Sequence, residues 1–359
     1  MKNILFVDDQ MYKLFEVNKE FTGGAAVQTS SWLLGFKNLG YNVKFTSPKK
    51  ITKEALVFKY LHSSPKYFIW IFYLYNYYKV VKLFNPSIIY LSTAGWRTII
   101  WAIIAKSTNA KYVQRISNKI VFEKKTYKKK LGFFKYQLSR IGVKYADLIL
   151  CQNDEQYSNI NKMFPQNNKE IIYNPYFIGN DIQLNLKKKY YVSWVGIFQD
   201  QKNIPALLKI VKSCKEINFK IAGDSKQSMN EATNLAIHQL RKMKNVEFVG
   251  FLDRDEIKIF LSKSVCLLNT SHYEGFSNTY LEAFENRTPV ITRRVTDPDG
   301  IIEKNNLGFV ADNYAEIPYL IKNIIRNGFS DHQNLRNYLK ENHDPNVLAN
   351  DIINLLNKG

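Results

Sequence analysis

The sequence predicts a two-domain α/β protein in which each domain is built on a parallel sheet. Three observations predict it. At 359 residues the chain exceeds what one hydrophobic core usually serves. Short apolar runs alternate with helical stretches along most of its length, the pattern of strands joined by crossover helices. Between Tyr173 and Lys189 the alternation is interrupted by proline, glycine and a lysine run, which reads as a linker. The expected domains are residues 1–185 and 190–342, with 343–359 a C-terminal helix free to pack back towards the first domain.

The elements follow in order. Ile4–Val7 is a buried strand; its apolar run is cut off by Asp8-Asp9, too early for a signal peptide. A polar loop reaches Gly23-Gly24, and Ala25–Leu39 then has helical spacing that stops at Gly40. Tyr41–Phe45, Ser87–Leu91, Lys111–Gln114 and Ala146–Leu150 are further strands. Beyond the linker come Tyr191–Val195, Phe219–Ala222, Val246–Val249, Val265–Asn269, Pro289–Thr292 and Gly308–Val310, and Asn346–Asn357 reads as a closing helix.

Charge separates the two halves. Residues 1–185 hold 27 Lys and Arg against 11 Asp and Glu, whereas the remainder holds 24 against 20, within a formal net charge of +20. The first half therefore faces something anionic: a membrane surface, a phosphorylated acceptor or nucleic acid, unless the excess is a solvated lysine-rich face. Tyr67–Tyr78 is the most apolar window, shorter than the ~20 residues of a membrane-spanning helix and bracketed by Lys66, Lys79 and Lys82. It and Trp96–Ala105 suit either a core-facing helix or a membrane interface. The basic, aromatic stretch Lys119–Lys144 adds to the case for surface attachment, so a peripheral protein is expected at the inner face of the cytoplasmic membrane. Cys151, Cys214 and Cys266 are odd in number and lie in apolar segments, as buried thiols of a reducing compartment do.

The chemistry concentrates in the loop and helix after Val265–Asn269, where Glu274 and Glu282 stand eight positions apart with Gly275 directly after the first. Open parallel sheets bind ligands at the carboxyl ends of their strands. A helix beginning there offers N–H groups and the positive end of its dipole to a phosphate. Carboxylates before and within that helix suit the hydroxyls flanking a diphosphate, the layout of a nucleotide-sugar. The alternative is a capping box, Thr279-Tyr-Leu-Glu282, with Glu274 a solvated loop acid.

Taken together, these residues resemble the retaining glycosyltransferases of family 4, which have the GT-B fold of two Rossmann-like domains facing across a cleft. Glu274 to Glu282 is similar to that family's paired-glutamate signature, and Gly196 with Lys202-Asn203 to its glycine loop and lysine. Gly23-Gly24, Leu39-Gly40, Ala146-Asp147 and Asn174-Pro175 match further landmarks. The resemblance implies that Glu282 holds the ribose and Glu274 the donor sugar or the forming glycosidic centre. It implies that backbone groups at Phe276, Ser277, Asn278 and Thr279 cradle the diphosphate beside Gly196, and that Lys202 neutralises charge on the leaving group. Gly23 and Gly24 would approach phosphate and acceptor, while Thr93 and Arg115 lie near the expected acceptor site, Arg115 equally as a structural residue. Neither a metal nor another cofactor is expected. The expected partners are a nucleotide-sugar, a lipid-linked saccharide acceptor and an anionic membrane surface. Two departures from the family pattern stand out: Ile197 occupies the place of a common arginine, and the first half's single histidine, His62, lies outside any matching motif.

Other classes fit less well. A metal-dependent glycosyltransferase fold needs an Asp-x-Asp; Asp253-Arg-Asp255 reads as a helix cap and Asp297-Pro-Asp299 as a turn. A nucleic-acid-binding protein suits the basic pI but lacks zinc-ligand, RNP-like and helix-turn-helix patterns, so no nucleic-acid partner is expected. A non-catalytic nucleotide-sugar-binding subunit stays open because of Ile197.

Overall fold

A computed structural model of the chain describes residues 2–8, 10–15, 24–58, 69–117, 132–179, 190–225 and 229–358. They form two units, one of Met1–Phe177 together with His343–Gly359, the other of Ile178–Asn342. Each unit is a parallel α/β domain.

The first unit runs β1 (Asn3–Val7), α1 (Gly24–Asn38), β2 (Asn42–Ser47), β3 (Ala55–Val57), α2 (Ile69–Phe84), β4 (Ile88–Leu91) and α3 (Thr98–Ser107). It continues with β5 (Lys111–Arg115), α4 (Phe133–Lys144), β6 (Leu148–Cys151), α5 (Asp154–Met163) and β7 (Lys169–Ile171). The strands order β3-β2-β1-β4-β5-β6-β7, with every neighbouring pair parallel. Successive strand residues point to opposite faces, which explains the unbroken apolar run in β1. Leu5 and Val7 join a core with Tyr77 and Val81 of α2, Trp101 and Ile104 of α3, and Val143 of α4. Ile4 and Phe6 join a second core with Trp32 and Phe36 of α1. The last helix of the chain, Pro345–Lys358, belongs to that second core through Ala349 and Ile352. It lies so close to α1 that a Cβ on Gly35 would collide with the Pro345 carbonyl oxygen.

The second unit runs β8 (Tyr191–Val195), α6 (Ile204–Ser213), β9 (Phe219–Ala222), α7 (Glu231–Arg241), β10 (Val246–Gly250), α8 (Arg254–Ser262) and β11 (Ser264–Leu268). There follow α9 (Asn278–Glu285), β12 (Val290–Arg293), α10 (Ile301–Lys304), β13 (Gly308–Ala311), α11 (Ile317–Asn327) and α12 (His332–Asn342), so that Pro345–Lys358 is α13. The order β10-β9-β8-β11-β12-β13 is again wholly parallel, with Leu267 paired to Val290 and Cys266 to Val192. Trp194, Leu207, Val211, Ile221, Leu268, Ile291 and Ile321 form its core.

All six strands expected after the linker are present, and so are the five expected before it. The two that the sequence pattern does not reveal, β3 and β7, are three-residue edge strands with no fully buried position. Runs that short carry no measurable alternation. The two apolar windows resolve differently along their lengths. α3 is chiefly a core helix, with Ile100, Trp101, Ala102, Ile104 and Ala105 buried. α2 buries Tyr77 and Val81 but leaves Tyr75 and Leu83 exposed. No described helix is long and apolar enough to cross a membrane.

Candidate functional site

From β8 the chain of the second unit moves outward to β9 and β10, and from β11 it moves the other way to β12 and β13. The loops leaving the adjacent strands β8 and β11 therefore diverge, making a crevice at the carboxyl edge of the sheet. Glu274, Lys202, Gly196 and the start of α9 are all carried on these two loops.

The loop after β8 begins at Gly196, whose N–H donates to the Ala222 carbonyl at 3.1 Å. Gly223, at φ 139°, packs so tightly here that a Cβ would overlap the Gly196 carbonyl oxygen. A 3-10 turn, Asp200–Lys202, then delivers Lys202, and Asn203 in the left-handed region (φ 48°, ψ 55°) caps α6 by accepting from the Ala206 N–H. Asparagine tolerates this backbone conformation better than most residues.

The loop after β11 is fastened to it. Thr270 Oγ1 donates to the Lys202 carbonyl at 2.7 Å and accepts from Trp194 Nε1 at 3.0 Å. The His272 N–H donates to the Gln201 carbonyl at 2.8 Å. Between these anchors one carboxylate oxygen is shared: Glu274 Oε1 accepts from Lys202 Nζ at 2.6 Å and from Ser271 Oγ at 2.7 Å. The Lys202 and Glu274 side chains are 15% and 9% exposed, a well-shielded pair with one edge still reachable. Charge-assisted bonds of this length are strong, and poor solvation strengthens them further.

The helix that follows starts at Asn278 with Ser277 as its N-cap, and Ser277 makes no side-chain capping bond. Its hydroxyl instead pairs with Thr279 Oγ1 at 2.8 Å. The capping-box alternative fails on this register, because Thr279 is already inside the helix and Glu282 is not three residues past the cap. Phe276 is buried beneath the turn. One position before the middle of α9, Tyr280 is fully buried and bonded to Thr292 Oγ1 at 2.8 Å. Glu282 keeps a partly exposed side chain. Even so, the surrounding protein raises its carboxyl to about 7, chiefly through burial, with Arg254 opposing and Glu285 adding to the shift.

The other expected positions are dispersed. Gly23 and His62 lie outside the described residues; Gly24 is the exposed first residue of α1. Thr93 is exposed just after β4. Arg115 is 1% exposed and donates to the Ile172 carbonyl at 2.6 Å and Asn174 Oδ1 at 2.7 Å, with Trp32 beneath its guanidinium. Enclosed in this way Arg115 acts as a structural tie between β5 and the segment 172–174, with carbonyl oxygens as the acceptors of both bonds. Asp253 caps α8 in a capping box, and Asp297 accepts from the Ile302 N–H at 2.8 Å.

Sequence reasoning missed Ser271, Thr270, Tyr314 and Arg293. Ser271, three residues before Glu274, could have been found by spacing. Tyr314 and Arg293 reach the site only through the strand order, since β12 and β13 lie on the far side of β11.

Residues 180–356 match the family described as glycosyl transferases group 1. Over 290 residues the chain is 25% identical to an uncharacterized glycosyltransferase of Methanocaldococcus jannaschii, covering 79% of this chain and 78% of that one. Over 252 residues it is 23% identical to an uncharacterized 41.2 kDa protein in the cps region of Klebsiella pneumoniae, covering 65% and 67%. The Anabaena protein HepE, solved with UDP, superposes over 100% of both chains with a TM-score of 0.75 at 14% identity. The family match and the two parallel-sheet domains together support a glycosyltransferase with the GT-B fold.

Proposed function

We propose that this protein is a family 4 glycosyltransferase that takes a sugar from a UDP- or GDP-sugar and passes it, with retention, to a membrane-associated saccharide. The observation that carries the reading is the Lys202–Glu274–Ser271 arrangement at the switch point, directly before the N-terminus of α9. The diphosphate sits at that helix start, over Phe276, Ser277, Asn278 and Thr279 and beside Gly196, where N–H groups and the helix dipole favour an anion. Its arrival draws Lys202 from Glu274 towards the phosphate. Glu274 is then released to a hydroxyl of the donor sugar, and Lys202 offsets the charge that builds on the departing diphosphate. The acceptor hydroxyl attacks from the leaving-group side and gives its proton to the departing phosphate oxygen, so configuration is kept and no metal is called for. Glu282 holds the ribose hydroxyls. HepE was solved with UDP-glucose as well as UDP, which favours a uridine donor among the two.

The acceptor side rests on the first unit. Helices α2, α3 and α4 pack side by side on one face of its sheet. They expose Leu83 (81%), Phe134 (73%), Tyr75 and Phe133, with Lys79, Lys82, Lys106 and Lys144 among them. Apolar and cationic groups mixed on one layer suit an anionic bilayer surface. Together with the cps-region relative, this favours surface-polysaccharide or glycolipid assembly as the setting and the inner face of the cytoplasmic membrane as the place.

The test is calorimetric titration of UDP and GDP, without metal, into wild type and Glu282→Ala. Saturable binding of one nucleotide that weakens about tenfold in the variant, about 1.4 kcal/mol, is expected. Equal binding by the variant would remove the ribose from Glu282. Binding without donor turnover would favour the non-catalytic subunit instead, the reading that Ile197 supports.

A further inference from the structure

Arg293, the last residue of β12, sends its guanidinium across to the neighbouring loop. Its Nη2 donates to the Ser271 carbonyl at 3.2 Å and reaches the His272 carbonyl at 3.4 Å, while Cζ lies 4.2 Å from the Tyr314 ring centroid. Its Nε is enclosed and without a hydrogen-bond partner among the described residues. No described acidic side chain pairs with it. A partly buried cation held by two carbonyls and a ring face is a costly way to decorate a loop. The same ring ties into the opposite side of the site: Tyr314 Oη donates to the Thr270 carbonyl at 2.9 Å and accepts from Asn203 Nδ2 at 2.7 Å.

The geometry points to Arg293, seated on Tyr314, as a positioning residue that fixes the turn 270–274. Through the Ser271 hydroxyl it sets the Glu274 carboxylate where Lys202 can share it. This rests on the donor-site reading above. In this role Arg293 acts through the loop it holds rather than through contact with the donor. It fixes the carbonyls of two consecutive peptides, Ser271–His272 and His272–Tyr273, so that Ser271 Oγ stays aimed at Glu274. Arginine suits the place because Nη2 alone reaches both oxygens while the planar guanidinium lays its face on the Tyr314 ring; a lysine ammonium has no planar face to stack there.

The experiment pairs amide hydrogen exchange with kinetics in Arg293→Met, Arg293→Lys and Tyr314→Phe. In wild type the Ser271 and His272 amides are both bonded, to Asn269 Oδ1 at 2.8 Å and to the Gln201 carbonyl at 2.8 Å. In Arg293→Met these two amides exchange at least about tenfold faster while those of β8 and β11 keep their rates. Turnover of the nucleotide-sugar falls about tenfold or more, and UDP affinity changes less than about threefold. Arg293→Lys recovers part of the turnover, and Tyr314→Phe combined with Arg293→Met costs less than the product of the two. Unchanged exchange at Ser271 and His272 overturns the assignment, whatever the activity. So does parallel loss of exchange protection throughout the second unit, which marks a fold defect; if Arg293→Met does not fold, the same two amides are read in Arg293→Lys. A wild-type protein that turns over no nucleotide-sugar refutes the enzymatic reading alone, because the exchange result still decides what Arg293 does.

Discussion

The two units share an architecture and use its most valuable edge in opposite ways. Each has a parallel sheet with a switch point, between β1 and β4 in the first and between β8 and β11 in the second. Among the described residues at the carboxyl edge of the first sheet, several polar groups are closed on one another. Asp8 accepts from Thr29 Oγ1 at 2.8 Å and from the Met11 N–H at 3.1 Å, a carboxylate used to pin a turn. Gln152 Nε2 reaches Gln28 Oε1 at 3.2 Å and Asn174 Oδ1 at 3.0 Å, and Arg115 is tied to that same Asn174 oxygen. In the second unit the corresponding loop and helix hold an ion pair that keeps a reachable edge and a largely buried glutamate, Glu282, whose carboxyl is pushed up to about 7. Satisfied amide networks rigidify a scaffold, whereas shielded but accessible charges are available for chemistry.

Substitutions that exchange the character of the two edges should have opposite consequences. Glu274→Gln removes the negative charge shared by Lys202 and Ser271 while keeping an acceptor oxygen, and turnover is expected to fall by about 10²–10³, the usual effect of deleting one electrostatic contact to a transition state. UDP affinity should move by less than about threefold. A variant that keeps most of its turnover would show that the pair is a brace for the loop. Arg115→Met makes the converse change in the first unit. It takes the Arg115 donor from the Ile172 carbonyl and from Asn174 Oδ1, which keeps Gln152 Nε2, costing about 3 kcal/mol of stability, to be read as a shift in the denaturant midpoint. UDP binding should be untouched. If Arg115→Met instead abolished transfer in a protein of normal stability, the first edge would have to be reassigned as a working surface.

The same contrast explains what was legible. Residues that fix backbone at the second site announce themselves locally: Gly196, the Lys202-Asn203 turn and the eight-residue spacing of the glutamates all lie within single loops. The strands of the second unit were equally plain, because buried parallel strands are continuous apolar runs. Arg115 was ambiguous since a cation ending a strand can face ligand or core, and the decision belongs to Asn174 and Ile172, some sixty positions away. β3 and β7 escaped because an edge strand of three residues is held by its neighbour's hydrogen bonds and leaves no periodicity. Arg293 and Tyr314 escaped for a related reason, since only the order β8-β11-β12-β13 brings them to the loop.

Acid separates the two units by sign. In the first, His343 is fully buried with Nδ1 2.7 Å from the Asn174 carbonyl oxygen, and burial pushes it down to about 4. The folded state prefers neutral imidazole, so its contribution is present above the ordinary value of 6.5 and is lost as pH falls towards 4. In the second, the folded state prefers protonated Glu282. Its contribution is present below the ordinary value of 4.5 and is lost as pH rises through about 7. Between pH 5 and 7 acidification should therefore loosen the first unit and tighten the second, each by about 1–2 kcal/mol once partial exposure of Glu282 is allowed for. Amide exchange in β5 against that in β11 resolves the two. If Glu282 holds the ribose as proposed, ligand binding reverses the second effect, because ribose hydroxyls would donate to the carboxylate and call for its ionised form. Affinity for UDP-glucose, whose diphosphate does not titrate in this range, should fall by up to about tenfold for each unit below pH 7, with proton release on binding at pH 6. Glu282→Gln should bind more weakly at pH 8 and lose the dependence. A wild-type affinity flat from pH 5.5 to 8 would mean that Glu282 is protonated or absent in the complex, and the ribose would have to be held elsewhere on the crevice.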